Sequence, residues 1–145
     1  MSVIWQLLGA FGASFFFSIY LFATKKFLIY CGLTGLIGWM AYLAALGLGF
    51  GTAMAYFWAS LVISLVSHLF ARVLKAPVTE FLIPGLLPLV PGASIYRAVY
   101  YLMEGDGQAS MQYLGETLLL AGAIAAAVFL VDSLIRVFKL NFRVR

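Results

Sequence analysis

Charged residues make up only 10% of this 145-residue chain, nine Lys and Arg against five Asp and Glu. A soluble domain carries about 25%, and so few charges cannot coat the surface of a water-soluble globule of this size. A soluble enzyme core is excluded. A single cysteine, Cys31, excludes an internal disulfide and any cysteine-rich metal site, and the single histidine, His68, excludes a histidine-based metal cluster. No GxxxxGK[ST] loop is present, so direct ATP use has no support. A persuasive nucleophile–base pair is also missing, which leaves no catalytic assignment and no cofactor. The formal net charge of +4 comes without a groove-sized basic patch, so nucleic acid is not the expected partner.

Apolar residues fill the space left by charge. They amount to 65% of the chain, with aromatics at 17% and a mean hydropathy of +1.07. Spanning a bilayer takes about 20 such residues. Apolar runs at 3–22, 27–47, 52–74, 78–103 and 111–137 meet that length. The first is expected to stay in place rather than act as a signal peptide, because no Lys or Arg precedes it and it is about twice a signal core of 7–15 residues. The expected fold is an all-α integral membrane protein, a five-helix bundle in one transmembrane domain that covers residues 1–145.

Eight of the nine basic residues flank these runs: Lys25, Lys26, Arg72, Lys75, Arg136, Lys139, Arg143 and Arg145. Cytoplasmic flanks collect Lys and Arg. Five crossings put all eight on one side, with the N-terminus outside and the C-terminus in the cytoplasm. A four-helix reading strands one cluster on the wrong side. Small residues recur at Gly9, Gly12, Gly32, Gly35, Gly38 and through 121–127, where they serve close helix packing inside the chain or against another membrane protein.

The fourth run is the informative one. Pro84, Pro88 and Pro91 fall within eight residues, with Gly85 and Gly92 beside them. Each proline removes a backbone donor and clashes with the carbonyl four residues earlier. A break across 84–92, near the middle of the bilayer, is therefore expected, with a helix restarting between Pro91 and Ser94. Broken backbone at that depth survives where protein or a watery cavity satisfies it. A restarted helix end favours an anion such as a carboxylate. Pro88, Pro91, Gly92, Ala93, Ser94 and Arg97 are the candidate substrate-binding residues on this reading. Arg97 can clamp a carboxylate with its planar fork, or reach to the outer interface. Glu80, Glu116 and His68 are candidate proton carriers; hydration, for the two acids, and a hydrogen bond to a neighbouring helix, for His68, are the plainer alternatives. Ser60, Ser64 and His68 share a helix face. Asp132 and Arg136, four apart, read as a stabilising pair, and Trp5, Trp39, Trp58, Tyr96, Tyr100 and Tyr101 as interface-belt residues.

The stretch Pro77-x-Thr79-x-Phe81-x-x-Pro84-Gly85-x-x-Pro88-Leu89-Val90-Pro91-Gly92, followed by Tyr96 and the Gly105-Asp106 turn, resembles the threonine/serine exporter (ThrE) family. It is most similar to the short YjjB-type subunit, which corresponds to the C-terminal half of the fused exporters. That resemblance implies a bacterial inner-membrane exporter working with a larger membrane subunit. It also implies export of small carboxylate-bearing metabolites: threonine and serine, or a dicarboxylate such as succinate. Transport driven by an ion gradient is the accompanying expectation. A non-transporting scaffold or assembly subunit is the alternative, and a higher oligomer stays open.

Overall fold

The computed structural model describes the backbone of residues 2–143 and the side chains of residues 2–137. Among the described residues all regular structure is helical: α1 Val3–Tyr20, α2 Leu28–Gly47, α3 Thr52–Leu74, α4 Thr79–Leu86, a 3-10 turn Leu87–Leu89, α5 Gly92–Met103 and α6 Gly107–Arg143. α1, α2, α3 and α6 are each long and apolar enough to cross a membrane. The α4–α5 pair, bent by 53° at its break, makes a fifth candidate span.

Four helices stop at a left-handed residue. After α1, Phe22 (φ 57°) lets Ala23 N–H reach Ser18 O, and after α3, Lys75 (φ 52°) lets Ala76 N–H reach Ala71 O. Gly49 (φ 86°) and Gly105 (φ 84°) end α2 and α5 in the same way, returning the amides of Phe50 and Asp106 to Ala45 O and Tyr101 O. These 6→1 bonds satisfy carbonyls that a helix end leaves open. Asp106 then caps α6, its Oδ1 accepting from Ala109 N–H at 3.0 Å. That cap explains why α6 starts at Gly107 rather than near Met111, where the apolar run begins.

Three of the four glycines of α2 are contact points. A Cβ at Gly32 would lie 2.6 Å from the Phe11 ring of α1, one at Gly35 would strike Ser14, and one at Gly38 would strike Ile63 of α3. With no lipid-excluding force between helices, such close approach is what holds membrane helices together. Gly9 and Gly12 have nothing within 4 Å of the same position. α4 lies in the angle between α2 and α3 and also touches α1; α6 packs along α3, and α5 packs extensively on α6 alone. The bundle therefore has two bodies, α1–α4 and the α5–α6 hairpin. The α3–α6 contact and the chain through the break join them.

Trp39, expected at the interface belt, is partly buried and held by the bundle. It packs against Tyr42 inside the bundle, donates to Gln6 Oε1 at 3.3 Å, and borders the buried cluster of Ala59, Ile63 and Leu89. Trp5 and Trp58 are exposed.

Candidate functional site

The break runs over 87–91, which is shorter than the proline spacing suggests, because α4 continues through Pro84 and Gly85. Pro84 has no N–H to give Glu80 O, its normal helical acceptor. The Cys31 thiol of α2 takes that place, donating to Glu80 O at 3.2 Å. Gly85 does not loosen the chain either. A Cβ there would sit 2.6 Å from Thr34 Cγ2, so the glycine lets α4 seat against α2.

Beyond α4 the backbone satisfies itself in short steps. Leu87 N–H donates to Pro84 O, Val90 N–H to Leu87 O, Gly92 N–H to Val90 O at 2.7 Å, and Ile95 N–H to Pro91 O. Between the last two lie the amides of Ala93 and Ser94, and no side chain caps them. Ser94 belongs to the first turn of α5, and Pro91 holds the cap position. Gly92 and Ala93 are exposed, and Pro88, Pro91 and Ser94 are partly so. This restart faces outward from the chain.

Arg97 is exposed on α5, its guanidinium 5.6 Å from the centre of the Tyr113 ring of α6. Ser110 Oγ donates to Ala98 O, and Tyr101 stacks on Tyr113 at 5.5 Å, so the two helices of the hairpin are pinned around that arginine. Glu116 is exposed on α6, three residues past Tyr113. Neither Arg97 nor Glu116 takes part in an ion pair among the described residues.

The three candidate proton carriers lie in three separate places. Glu80 is at the basic end, where its Oε1 accepts from Thr24 N–H at 2.9 Å and ties α4 to the α1–α2 turn. Lys25, Lys26, Arg72 and Lys75 surround that end and are exposed. The side chains of Lys139, Arg143 and Arg145 lie outside the described residues. His68 faces α6, with Nε2 3.7 Å from Asp132 Oδ1, while Arg136 Nε holds Asp132 Oδ2 at 2.8 Å. A cavity of about 600 Å³ opens beside this pair between α3, α4 and α6, with Ser64, Thr79, Leu82 and Ala125 among its walls. Ser60, Ser64 and His68 do share the inward face of α3; the hydroxyls of Ser60, Ser64 and Ser67 are buried with no hydrogen-bond partner.

Sequence reasoning missed two partners. Asp132 is more than an intrahelical partner of Arg136, and Cys31 repairs a proline defect. Both contacts join distant segments, so no local spacing signals them. A scarce polar residue in an apolar run was the available clue, in line with the cost of burying polar groups in lipid.

A family model described as Threonine/Serine exporter, ThrE, matches residues 6–134, from the first turn of α1 to just past Asp132. No solved structure matches the chain.

Proposed function

The chain belongs to the threonine/serine exporter family, and from that premise we propose that it is the small subunit of a two-component exporter of small carboxylate-bearing metabolites. Threonine and serine are the first candidates, and a dicarboxylate such as succinate the next. A larger membrane subunit of the same family supplies the other half, an ion gradient drives export, and the pair sits in the bacterial inner membrane. The basic end, with Lys25, Lys26, Arg72 and Lys75, faces the cytoplasm; the turns at Gly49 and Asp106 face outside.

The observation that carries this reading is the start of α5. Discontinuous helices whose N-terminal amides face an anion are the usual substrate sites of secondary transporters. Here the uncapped amides of Ala93 and Ser94 lie at an outward-facing break, with the cationic Arg97 farther along the same short helix. A substrate carboxylate takes up those amides and the guanidinium. The open side of the site is where the larger subunit docks, and the exposed Glu116 lies on that hairpin too.

The test is efflux of labelled threonine, serine and succinate from cells expressing the chain with and without the membrane protein encoded beside it. Arg97→Ala and Pro91→Ala are run in the same assay. Efflux needing both proteins, and reduced at least tenfold in both variants with membrane insertion unchanged, supports the reading. Wild-type efflux in both variants removes the site assignment. Efflux of none of the three metabolites from correctly inserted protein favours the scaffold role.

A further inference from the structure

The α5–α6 hairpin meets the α1–α4 body mainly along α3, with Ile124 also packed against the cluster that holds Leu89, and the backbone joins them through the unwound residues 87–91. Such an arrangement is hinge-like, since a few residues between packed elements absorb the change in backbone angles. The cavity of about 600 Å³ lies in that same α3–α6 seam, with α4 as its third wall. At its basic end the seam carries an ionisable contact between the two bodies, His68 to Asp132.

The distance gives this contact its character. At 3.7 Å, Nε2 and Oδ1 are too far apart for an ordinary hydrogen bond, which needs about 2.7–3.2 Å. They are within reach of an ion pair when the imidazole carries its second proton. His68 is largely buried and Asp132 less so, with side chains 16% and 40% exposed. Charged and titratable groups approach the His68 side of the seam from several elements. From α6 come Asp132 and, bound to its other oxygen, Arg136. α4 presents Val78, Thr79 and Leu82 to the cavity, none titratable, while its Glu80 is bonded to the Thr24 amide. On α2, Tyr30 and Cys31 are taken up by the cluster with Phe70 and Phe81. Arg72, one turn further along α3, is exposed.

We infer that His68 and Asp132 form a proton-operated clasp between the two bodies of the bundle, which closes the α3–α6 cavity when His68 is protonated and frees it to open when the proton leaves. The proton is taken from water at the basic end onto the imidazole nitrogen that faces Asp132, and is returned there. The clasp deepens the exporter reading by giving the hairpin a defined opening edge, but its test uses no transport.

Because His68 is the single histidine of the chain, ¹⁵N-histidine NMR of the full chain in phosphatidylcholine nanodiscs reports its protonation without assignment. Spin labels at Val73 and Leu134, both exposed, report the seam, and the native Cys31 is fully buried and stays unlabelled. Between pH 5.5 and 8.5 the imidazole is expected to titrate and the label distance to lengthen by more than about 2 Å, the scale of helix shifts in switching proteins. His68→Gln and Asp132→Asn each abolish the distance change, and Arg136→Gln retains it. An imidazole that does not titrate in that range, a distance that ignores pH in the wild type, or a pH response that survives Asp132→Asn overturns the clasp. If a clasp variant fails to insert, the wild-type and Arg136→Gln titrations still decide the matter. Efflux failing while the pH response stands would sink the exporter reading and leave the clasp.

Discussion

Gly85 carries a prediction whose sign depends on one methyl group. Adding a Cβ at Gly85 places it 2.6 Å from Thr34 Cγ2 and 3.2 Å from Ile63 Cγ2. Carbon atoms pack at about 3.5–4.0 Å, so the first contact is short by about 1 Å. Thr34 cannot swing aside. Its side chain is fully buried and its Oγ1 donates to Tyr30 O at 2.8 Å, which fixes the rotamer. Overpacking of this kind costs about 1–3 kcal/mol. Against it stands the helix preference of Ala over Gly, about 1 kcal/mol. Gly85→Ala should therefore destabilise the bundle by up to about 2 kcal/mol, because the overpacking cost outweighs the propensity gain.

Thr34→Ser removes Cγ2 and keeps the hydroxyl bonded to Tyr30 O. In that background the same Gly85→Ala change meets Ile63 Cγ2 and the Cβ of residue 34, both at 3.2 Å, which have to give by only a few tenths of an ångström, and the propensity gain offsets that smaller cost. The double variant should then be as stable as Thr34→Ser alone or more stable. A double-mutant cycle of unfolding in mixed micelles reads the coupling directly, expected at about 1–3 kcal/mol. Additivity within about 0.5 kcal/mol would refute the argument that Gly85 is a contact glycine and return it to the role of a flexible joint.

Cys31→Ala should destabilise by about 1–3 kcal/mol, because it leaves Glu80 O buried without a donor. Cys31→Ser should lose far less, and adding Pro84→Ala to Cys31→Ala should recover most of the loss by restoring an N–H at position 84; thermal unfolding of the four proteins checks the pattern. Asp106→Ala removes the α6 cap and should cost about 0.5–2 kcal/mol, with faster amide exchange confined to the first turn of α6. Glu80→Gln keeps an acceptor for Thr24 N–H and should leave stability within about 0.5 kcal/mol of wild type, while Glu80→Leu should loosen the α1–α2 turn, read as faster proteolysis after Lys25 and Lys26.

The long apolar helices and their order were legible because they depend on run length, a one-dimensional quantity: four long helices and one bent pair follow the five apolar runs. The existence of a break was legible from Pro84, Pro88 and Pro91 for the same reason. Its location was not. Each proline removes a donor, but the cost depends on what stands near the orphaned carbonyl, and Cys31 lies 49 residues from Glu80. The contacts of Trp39 were hidden on similar grounds. An indole near a run's end suits the interface by composition, yet Gln6 on α1 offers its N–H a partner inside the bundle. His68 and Asp132 were each visible as scarce ionisable groups, but the α3–α6 contact that faces them together is a tertiary fact.

The three prolines are not equivalent, and the difference separates scaffold from site. Pro84 lies in α4, where a thiol from α2 repairs its defect and Gly85 lets that helix press into the α2–α3 angle, with Phe81 fully buried beneath it. Pro88 and Pro91 lie where no other helix repairs the backbone, and the chain closes its own carbonyls by three-residue turns. What is left open is a pair of amides at the start of α5, where Gly92 and Ala93 are exposed. A kink that only shaped packing would leave its polar groups turned inward, against another helix of the same chain. The backbone here is sealed on the side that the protein can reach and left unsealed on the side that it cannot. An open polar helix end in lipid is costly, so that side requires water, an anion or another protein. The exporter reading provides all three: a substrate carboxylate, an aqueous path and a second subunit to enclose them.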